Sequence, residues 1–466
     1  MLLRLNIANF LSFREPTEFS LVASREQQHS RRVAVTGRPG LKLLSMAAIY
    51  GANGSGKSNF YHAVDFLRDL VLRPARTPDD RIPVKPFRLD DKSEEQPSRF
   101  TVEMLTMGDV LYRLTVAVTA REVVEEKLEA MGVTTDRLIY SRQRAKGKES
   151  WNLEFFQRSR VPADIREFMA FKAKDTLPNQ LFLGALRGKH NPEADAVLGW
   201  FRDSLQLMTP NSIFKQLELS LKEVDGLREF CINSLADADT GIVSLEREEV
   251  SLDAVRWPPE VGNFKEVIRH MVAPGNAILM RADDGQRFTL RHEKDGLRAF
   301  RLKTVHETPA KRRVEFYLAD ESDGTQRFID LMPVFFELSR SKRPRIYIID
   351  ELERSLHTEL TRKLLTAYVQ GLSPHSRSQI VFTTHDVMLI DQDLLRRDEI
   401  WLTQKERDGH TRMFSLSDFK GVRADKDILK SYLLGRYDGL PRIAGFRWHE
   451  AAKGNAIAPL PARTRK

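Results

Sequence analysis

The chain reads as an α/β fold with an antiparallel β arm and a helical insertion lobe, and three observations lead there. Residues Gly51-Ala52-Asn53-Gly54-Ser55-Gly56-Lys57-Ser58 fit the phosphate-loop pattern G-x-x-x-x-G-K-[ST]. An apolar run precedes that stretch and a helical pattern follows it, which is the order strand, loop, helix that phosphate binding needs. Far downstream, residues 345–351 (RIYIIDE) form a second apolar strand ending in two carboxylates.

In chain order, residues 3–22 alternate apolar and polar positions as two strands around a turn. Residues 44–50 have the length and apolarity of a buried strand, and Phe60, Ala63, Val64, Leu67, Leu70 and Val71 after the loop share one helical face. A Pro-containing connection, 73–97, leads to runs at 100–105 and 110–118 around Met107-Gly108-Asp109, a hairpin pattern continued by 122–128. These strands are expected to form the arm beside the nucleotide site. Residues 179–187 (NQLFLGALR) read as a further buried strand, and 193–235 carry apolar residues at helical spacing without a sustained heptad. Strands return at 277–280, 287–293 and 298–305, and a mobile basic tail is expected over 453–466. The expected division is 1–187 for the N-terminal part of the head, 188–275 for the insertion lobe, and 276–466 for the C-terminal part.

Composition bounds the function class. A chain of 466 residues, 41% hydrophobic, buries a large core. No run of about 18 apolar residues occurs and Arg4, Asn6 and Asn9 interrupt the first residues, so a soluble cytoplasmic protein with no membrane span or signal peptide is expected. Cys231 is the single cysteine; it excludes internal disulfides and, between Phe230 and Ile232, reads as a packing residue. The net charge of +9 permits nucleic-acid contact without requiring it. Basic clusters lie at Arg137, Arg142, Arg144, Lys146 and Lys148, at 311–313, and at Arg340, Lys342, Arg343 and Arg345.

The loop pattern has a physical reason: glycine-permitted turns aim backbone N–H groups at phosphates, Lys57 adds a point charge, Ser58 a hydroxyl for Mg²⁺, and the helix its positive end. Asp350 at the acidic strand's end suits Mg²⁺, and Glu351 is placed to polarise an attacking water. Ser322 and Gly324, in ESDGTQR, stand at a helix start, where hydroxyl and N–H groups serve either a γ-phosphate or a plain N-cap. Ser355-Leu356-His357 makes a turn before another helix, and residues 379–384 form a strand running into His385-Asp386, where an imidazole can meet the γ-phosphate or the water.

This ordered set resembles the ABC-type ATPase heads of the SMC and RecF class, and the phrases NFLSF, YGANGSGKSN, ESDGTQR, IIDELERSLH and TTHD resemble abortive-infection ATPases of the AbiLi and RloA type. The ending through Tyr437-Asp438-Gly439-Leu440-Pro441 is similar to that group's Tyr-Gly-Ala-Ile-Pro. The resemblance implies an ABC/SMC-like P-loop ATPase head using ATP and Mg²⁺. Gly51 to Asn59 would bind phosphates, Asp350 position Mg²⁺, Glu351 act as catalytic base and His385 as switch histidine. Ser322 and Gly324 would be the signature that closes over ATP on a second protomer, with Ser355 to His357 linking the two sites. Gln180 is the nearest counterpart of a glutamine loop. The implied partners are a second copy, in a head-to-head dimer or larger assembly, and a separate effector protein, often a nuclease in that group. No acidic constellation like a fused Toprim nuclease follows His385. The competing expectations are a RecF-like repair ATPase that binds DNA directly, and an inactive nucleotide-stabilised scaffold.

Overall fold

A computed structural model describes residues 1–144, 151–155, 163–188, 191–252, 255, 272, 276–282, 285–294, 296–340, 344–419, 427–437 and 439–440. Lys146, Lys148, Lys342, Arg343, Asp438, Pro441 and the basic tail lie outside these residues. The central element is a six-stranded sheet in the order Leu205–Met208, Ile346–Ile349, Gln379–Thr383, Met46–Gly51, Ile400–Lys405, Thr411–Ser415. Its first five strands are parallel and the last is antiparallel. Sequence explains this: the runs MAAIY, IYII and QIVFT are buried at every position, as strands covered on both faces must be.

The helix Lys57–Leu72 covers one face, where Phe60, Ala63, Val64, Leu67 and Val71 pack against Ala47 and Ile49 on one side. The same core takes in Leu5, Ile7, Phe100 and Val102 of a seven-stranded antiparallel sheet, and Phe66 of the helix lies against Phe100 with ring centroids 5.2 Å apart. That sheet runs Trp151–Phe155, Arg137–Arg144, Val123–Ala130, Leu111–Val118, Ser98–Leu105, Leu2–Ala8, Thr17–Ser20, so the N-terminal hairpin and the expected arm are one surface. The helices Asp323–Ser339 and Thr358–Gln370 cover the opposite face of the central sheet through Leu331, Phe335, Leu365 and Tyr368. A third sheet, Ile242–Val250, Gly296–Glu307, Arg287–Glu293, Ala277–Arg281, with Arg313–Tyr317 against the long strand, shares a core with the helices Leu217–Glu223 and Leu227–Asp237 and with Phe328, Ile329 and Met332. Cys231 is fully buried there as a packing residue, and burial raises its thiol to about 12.

Two readings need correction. Residues 179–187 are not a strand: Phe182–Ala185 forms a helical turn whose leading amides, Phe182 N and Leu183 N, donate to the buried Glu126 carboxylate at 2.6 and 2.8 Å. A short apolar run is ambiguous between the two forms, and an acceptor 56 residues away in sequence decided it. The stretch 193–235 is also not wholly helical, because Leu205–Met208 leaves it to become the edge strand of the central sheet, in register with Ile346–Ile349. Four residues carry too little pattern to show that pairing.

Several described members of the basic clusters have partners within the fold. Arg137 pairs with Glu193, Arg144 with Glu122, Lys311 with Glu307, Arg313 with Glu246 and Arg345 with Glu337, while Arg142 is buried with its guanidinium on the Gln180 carbonyl at 3.0 Å. Among the described residues no helix is long and apolar enough to cross a membrane.

Gln379 joins the layers. Its buried amide accepts from Leu2 N at 2.6 Å and donates to the carbonyls of Leu2 and Leu44 at 3.0 and 2.9 Å. Gln379→Leu strands three buried backbone groups, so thermal melting is expected to show a loss of about 2 kcal/mol or more while nucleotide affinity at Lys57 stays unchanged.

Candidate nucleotide-binding site

The loop turns out of Met46–Gly51 and enters the helix at Lys57, with Gly56 as N-cap at φ 110°. Two close approaches require glycine: a Cβ at Gly51 would lie 2.2 Å from Thr403 Oγ1, and one at Gly56 would lie 2.2 Å from Thr411 Oγ1. Both threonines come from the last two strands of the central sheet. Thr403 Oγ1 is 2.7 Å from Ser55 Oγ, and Thr411 Oγ1 lies 2.8 Å from the Ser55 carbonyl oxygen and 2.7 Å from Ser12 Oγ. Asn59 Nδ2 donates to the same Ser12 hydroxyl at 2.6 Å, which ties the helix start to the NFLSF turn. The loop is therefore clamped from three sides before any ligand is considered.

Lys57 is buried, and its ammonium donates to the carbonyls of Gly51 and Ala52 at 2.6 and 3.2 Å. Burial lowers its pKa to about 8, opposed by the carboxylates of Asp350, Glu353 and Glu351. A phosphate would offer that ammonium the charge it lacks.

The acidic side arrives on neighbouring parallel strands. Asp350 Oδ1 accepts from Ser58 Oγ at 3.2 Å and from Thr383 Oγ1 at 2.6 Å, while Asp350 N donates to the Met208 carbonyl at 2.9 Å. Glu351 adopts left-handed backbone, φ 49°, costly for a non-glycine residue, and its N–H is fixed by donation to Thr383 Oγ1 at 2.8 Å. His385 Nε2 stands 3.9 Å from Glu351 Oε1 and His385 Nδ1 stands 3.3 Å from Lys57 Nζ. Burial, and next the Lys57 charge, hold that imidazole below its usual pKa and so neutral at pH 7. Its backbone N–H donates to Glu353 at 2.7 Å.

These groups line one pocket of about 760 Å³, bordered by Asn53, Gly54, Gly56, Lys57, Ser58, Asn59, Glu351 and His385. Its chemistry fits a nucleoside triphosphate with Mg²⁺: loop amides and an ammonium for phosphates, and two hard oxygens, Ser58 Oγ and Asp350 Oδ1, side by side for a cation that takes the rest of its shell from phosphates and water. The sequence missed Thr383, Glu353, Ser12, Thr403 and Thr411. Two of them stand inside TTHD and the stretch IIDELER, but hydroxyls and a third acid carry no pattern of their own.

The other expected residues lie apart from this pocket. Ser322 Oγ accepts from Thr325 N at 3.1 Å as the N-cap of Asp323–Ser339, and Gly324 lies so close to the Ser355 carbonyl that a Cβ would stand 2.6 Å from it. Ser355 is left-handed at φ 64°, and His357 caps Thr358–Gln370 through Nδ1, accepting from Glu359 N at 3.2 Å. Ser322, Gly324 and Ser355 thus form one patch, and within a single chain none of them lines the Lys57 pocket. Gln180 also lies elsewhere, its side chain held by the Ala75 carbonyl at 2.5 Å and by Leu177 N at 3.3 Å.

A phosphate loop at the end of one parallel strand, with a paired acidic strand and a histidine strand beside it, defines the class: a P-loop nucleotide-binding protein. A family model described as "AAA domain, putative AbiEii toxin, Type IV TA system" matches residues 46–391, and the chain belongs to that family. Among solved structures the chain is similar to the SMC head domain from Thermotoga maritima, at 13% identity and TM-score 0.35, over 89% of this chain and 98% of that one. It is also similar to the SmcHead bound to the C-winged helix domain of ScpA, at 15% identity and TM-score 0.38, over 89% and 97%. A third is the recombination mediator RecF with ATPrS, at 12% and 0.35, over 89% and 98%. No curated protein matches the chain in sequence.

Thr383 orients both acidic residues, so Thr383→Val is expected to lower nucleotide turnover roughly tenfold to a hundredfold while leaving circular dichroism unchanged. Steady-state phosphate release measures it, and unchanged turnover would show that the hydroxyl positions nothing.

Proposed function

We propose that the protein is a Mg²⁺-dependent ATP hydrolase whose two copies close head to head around ATP, and that the cycle regulates a separate effector in a bacterial anti-phage, abortive-infection response. The observation that carries the hydrolase reading is the convergence of Lys57, Ser58, Glu351 and His385 on one pocket from three adjacent strand ends, with Asp350 hydrogen-bonded to Ser58.

In this reading Gly51 to Asn59 and Lys57 hold the phosphate chain and neutralise its charge. Ser58 and Asp350 would hold Mg²⁺, which when bound would supply charge neutralisation to the phosphate chain. Glu351 accepts the proton of the attacking water, and its fixed backbone keeps the carboxylate turned into the pocket. Neutral His385, within reach of both Glu351 and Lys57, donates to the γ-phosphate. Ser322 and Gly324, with the Ser355 turn, contact the nucleotide on a second copy, since they are displaced from the pocket of their own chain. Family membership supports a role beside toxin-like defence ATPases.

Lys57→Ala is expected to weaken ATP binding roughly a hundredfold by calorimetry, and retained affinity would refute the pocket assignment. Glu351→Gln is expected to keep ATP affinity, lose turnover by about 10²–10⁴-fold, and roughly double in mass on sizing columns with ATP. A mass that ignores ATP would remove the head-to-head mechanism.

A further inference from the structure

A second pocket, of about 430 Å³, opens between the loop 210–213, the facing ends of Ala277–Arg281 and Arg287–Glu293, and the start of Asp323–Ser339. Its described lining carries four guanidinium groups, Arg281, Arg287, Arg327 and Arg354, against two carboxylates, Asp323 and Asp330. Two of the arginines are deeply buried, Arg327 at 6% and Arg287 at 8% exposure.

Their hydrogen bonding is incomplete. Arg327 Nη1 makes only long contacts, to the carbonyls of Ser212 at 3.4 Å and Thr209 at 3.5 Å, and among the described residues Arg327 joins no carboxylate ion pair. Its Nε and Nη2 have no partner. Arg287 Nη1 is used by Asp330 at 2.7 Å and its Nε lies 3.5 Å from Glu218, but its Nη2 has no partner. A buried cation with an unused donor edge costs free energy unless an anion meets it, and burial indeed lowers the Arg327 pKa.

We infer that this pocket is a phosphoryl-binding site separate from the phosphate loop, with Arg327 and Arg287 gripping the group and Arg281 and Arg354 closing its mouth. A phosphoryl dianion, with three acceptor oxygens, matches the unused donors of Arg327 and Arg287 better than a single carboxylate does. Arg354 Nη1 also lies 4.0 Å from Glu351 Oε2, so an anion here competes with the proposed catalytic carboxylate for one arginine and links the two pockets. The group arrives either on a nucleotide seated at Lys57 of a second copy or on a free phosphorylated small molecule. The site itself does not depend on the ATPase reading, and only the first source does.

The probe is inorganic pyrophosphate, titrated into the full chain carrying Lys57→Ala so that the phosphate loop is disabled. Binding is expected to persist and to weaken at least tenfold when Arg327→Met is added. Should that variant misfold by circular dichroism, the double change Arg281→Ala and Arg354→Ala at the pocket mouth is expected to weaken binding several-fold. No pyrophosphate binding to the Lys57→Ala protein, or equal binding in the arginine variants, overturns the site. Adding Arg327→Met to Glu351→Gln then identifies the source: loss of ATP-dependent assembly marks the second copy's nucleotide, and undiminished assembly marks a free ligand. If Glu351→Gln itself never assembles with ATP, the dimer reading fails and the pyrophosphate result stands by itself.

Discussion

Parallel pairing of three short strands is the constraint on which the rest depends. Met46–Gly51, Gln379–Thr383 and Ile346–Ile349 are hydrogen-bonded neighbours in register, with Thr383 opposite Ile49 and Phe382 opposite Ile349. Adjacent strands lie about 4.8 Å apart, so residues leaving their carboxyl ends are delivered to one edge within hydrogen-bonding reach. There the Thr383 hydroxyl bridges the Asp350 carboxylate and the Glu351 amide, and Asp350 meets Ser58. Without that register, Lys57 and Glu351 would belong to unrelated surfaces.

The burial that makes the site also perturbs its charges. Lys57 sits among loop carbonyls with its pKa lowered, His385 is kept neutral beside it, and Glu351 is held in an uncommon backbone conformation by one side-chain hydrogen bond. A triphosphate would supply the anionic partner that the buried ammonium lacks, so binding and charge compensation are the same event. The Arg327 pocket repeats this logic with guanidinium groups, and Arg354 lies between the two sites.

The layers are held by polar devices as well as by apolar packing. Gln379 fastens the first strand to the middle of the central sheet, and Glu126 fixes the turn at Phe182–Ala185 from a neighbouring strand. A third such device is the buried Arg32–Glu399 pair at 2.6 Å, which ties the segment after the N-terminal hairpin to the entry of the strand Ile400–Lys405. These anchors join segments that lie far apart in the chain into one packed body.

Local pattern was enough for the strand and helix around the phosphate loop, the acidic and histidine strands and the antiparallel arm, because each rests on periodicity or on residue types within a few positions. It failed at Phe182–Ala185 and at Leu205–Met208, where a remote carboxylate and a remote strand decide between helix and extended chain. It was equally silent on Thr383, Thr403, Thr411 and Ser12, since a hydroxyl becomes a clamp only when folding sets an acceptor within about 3 Å of it. The chemistry of the nucleotide pocket is therefore written in the order of the residues. Its geometry, the separation of Ser322 and Gly324 from it, and the arginine pocket beside it come from long-range packing, whose partners no local pattern names.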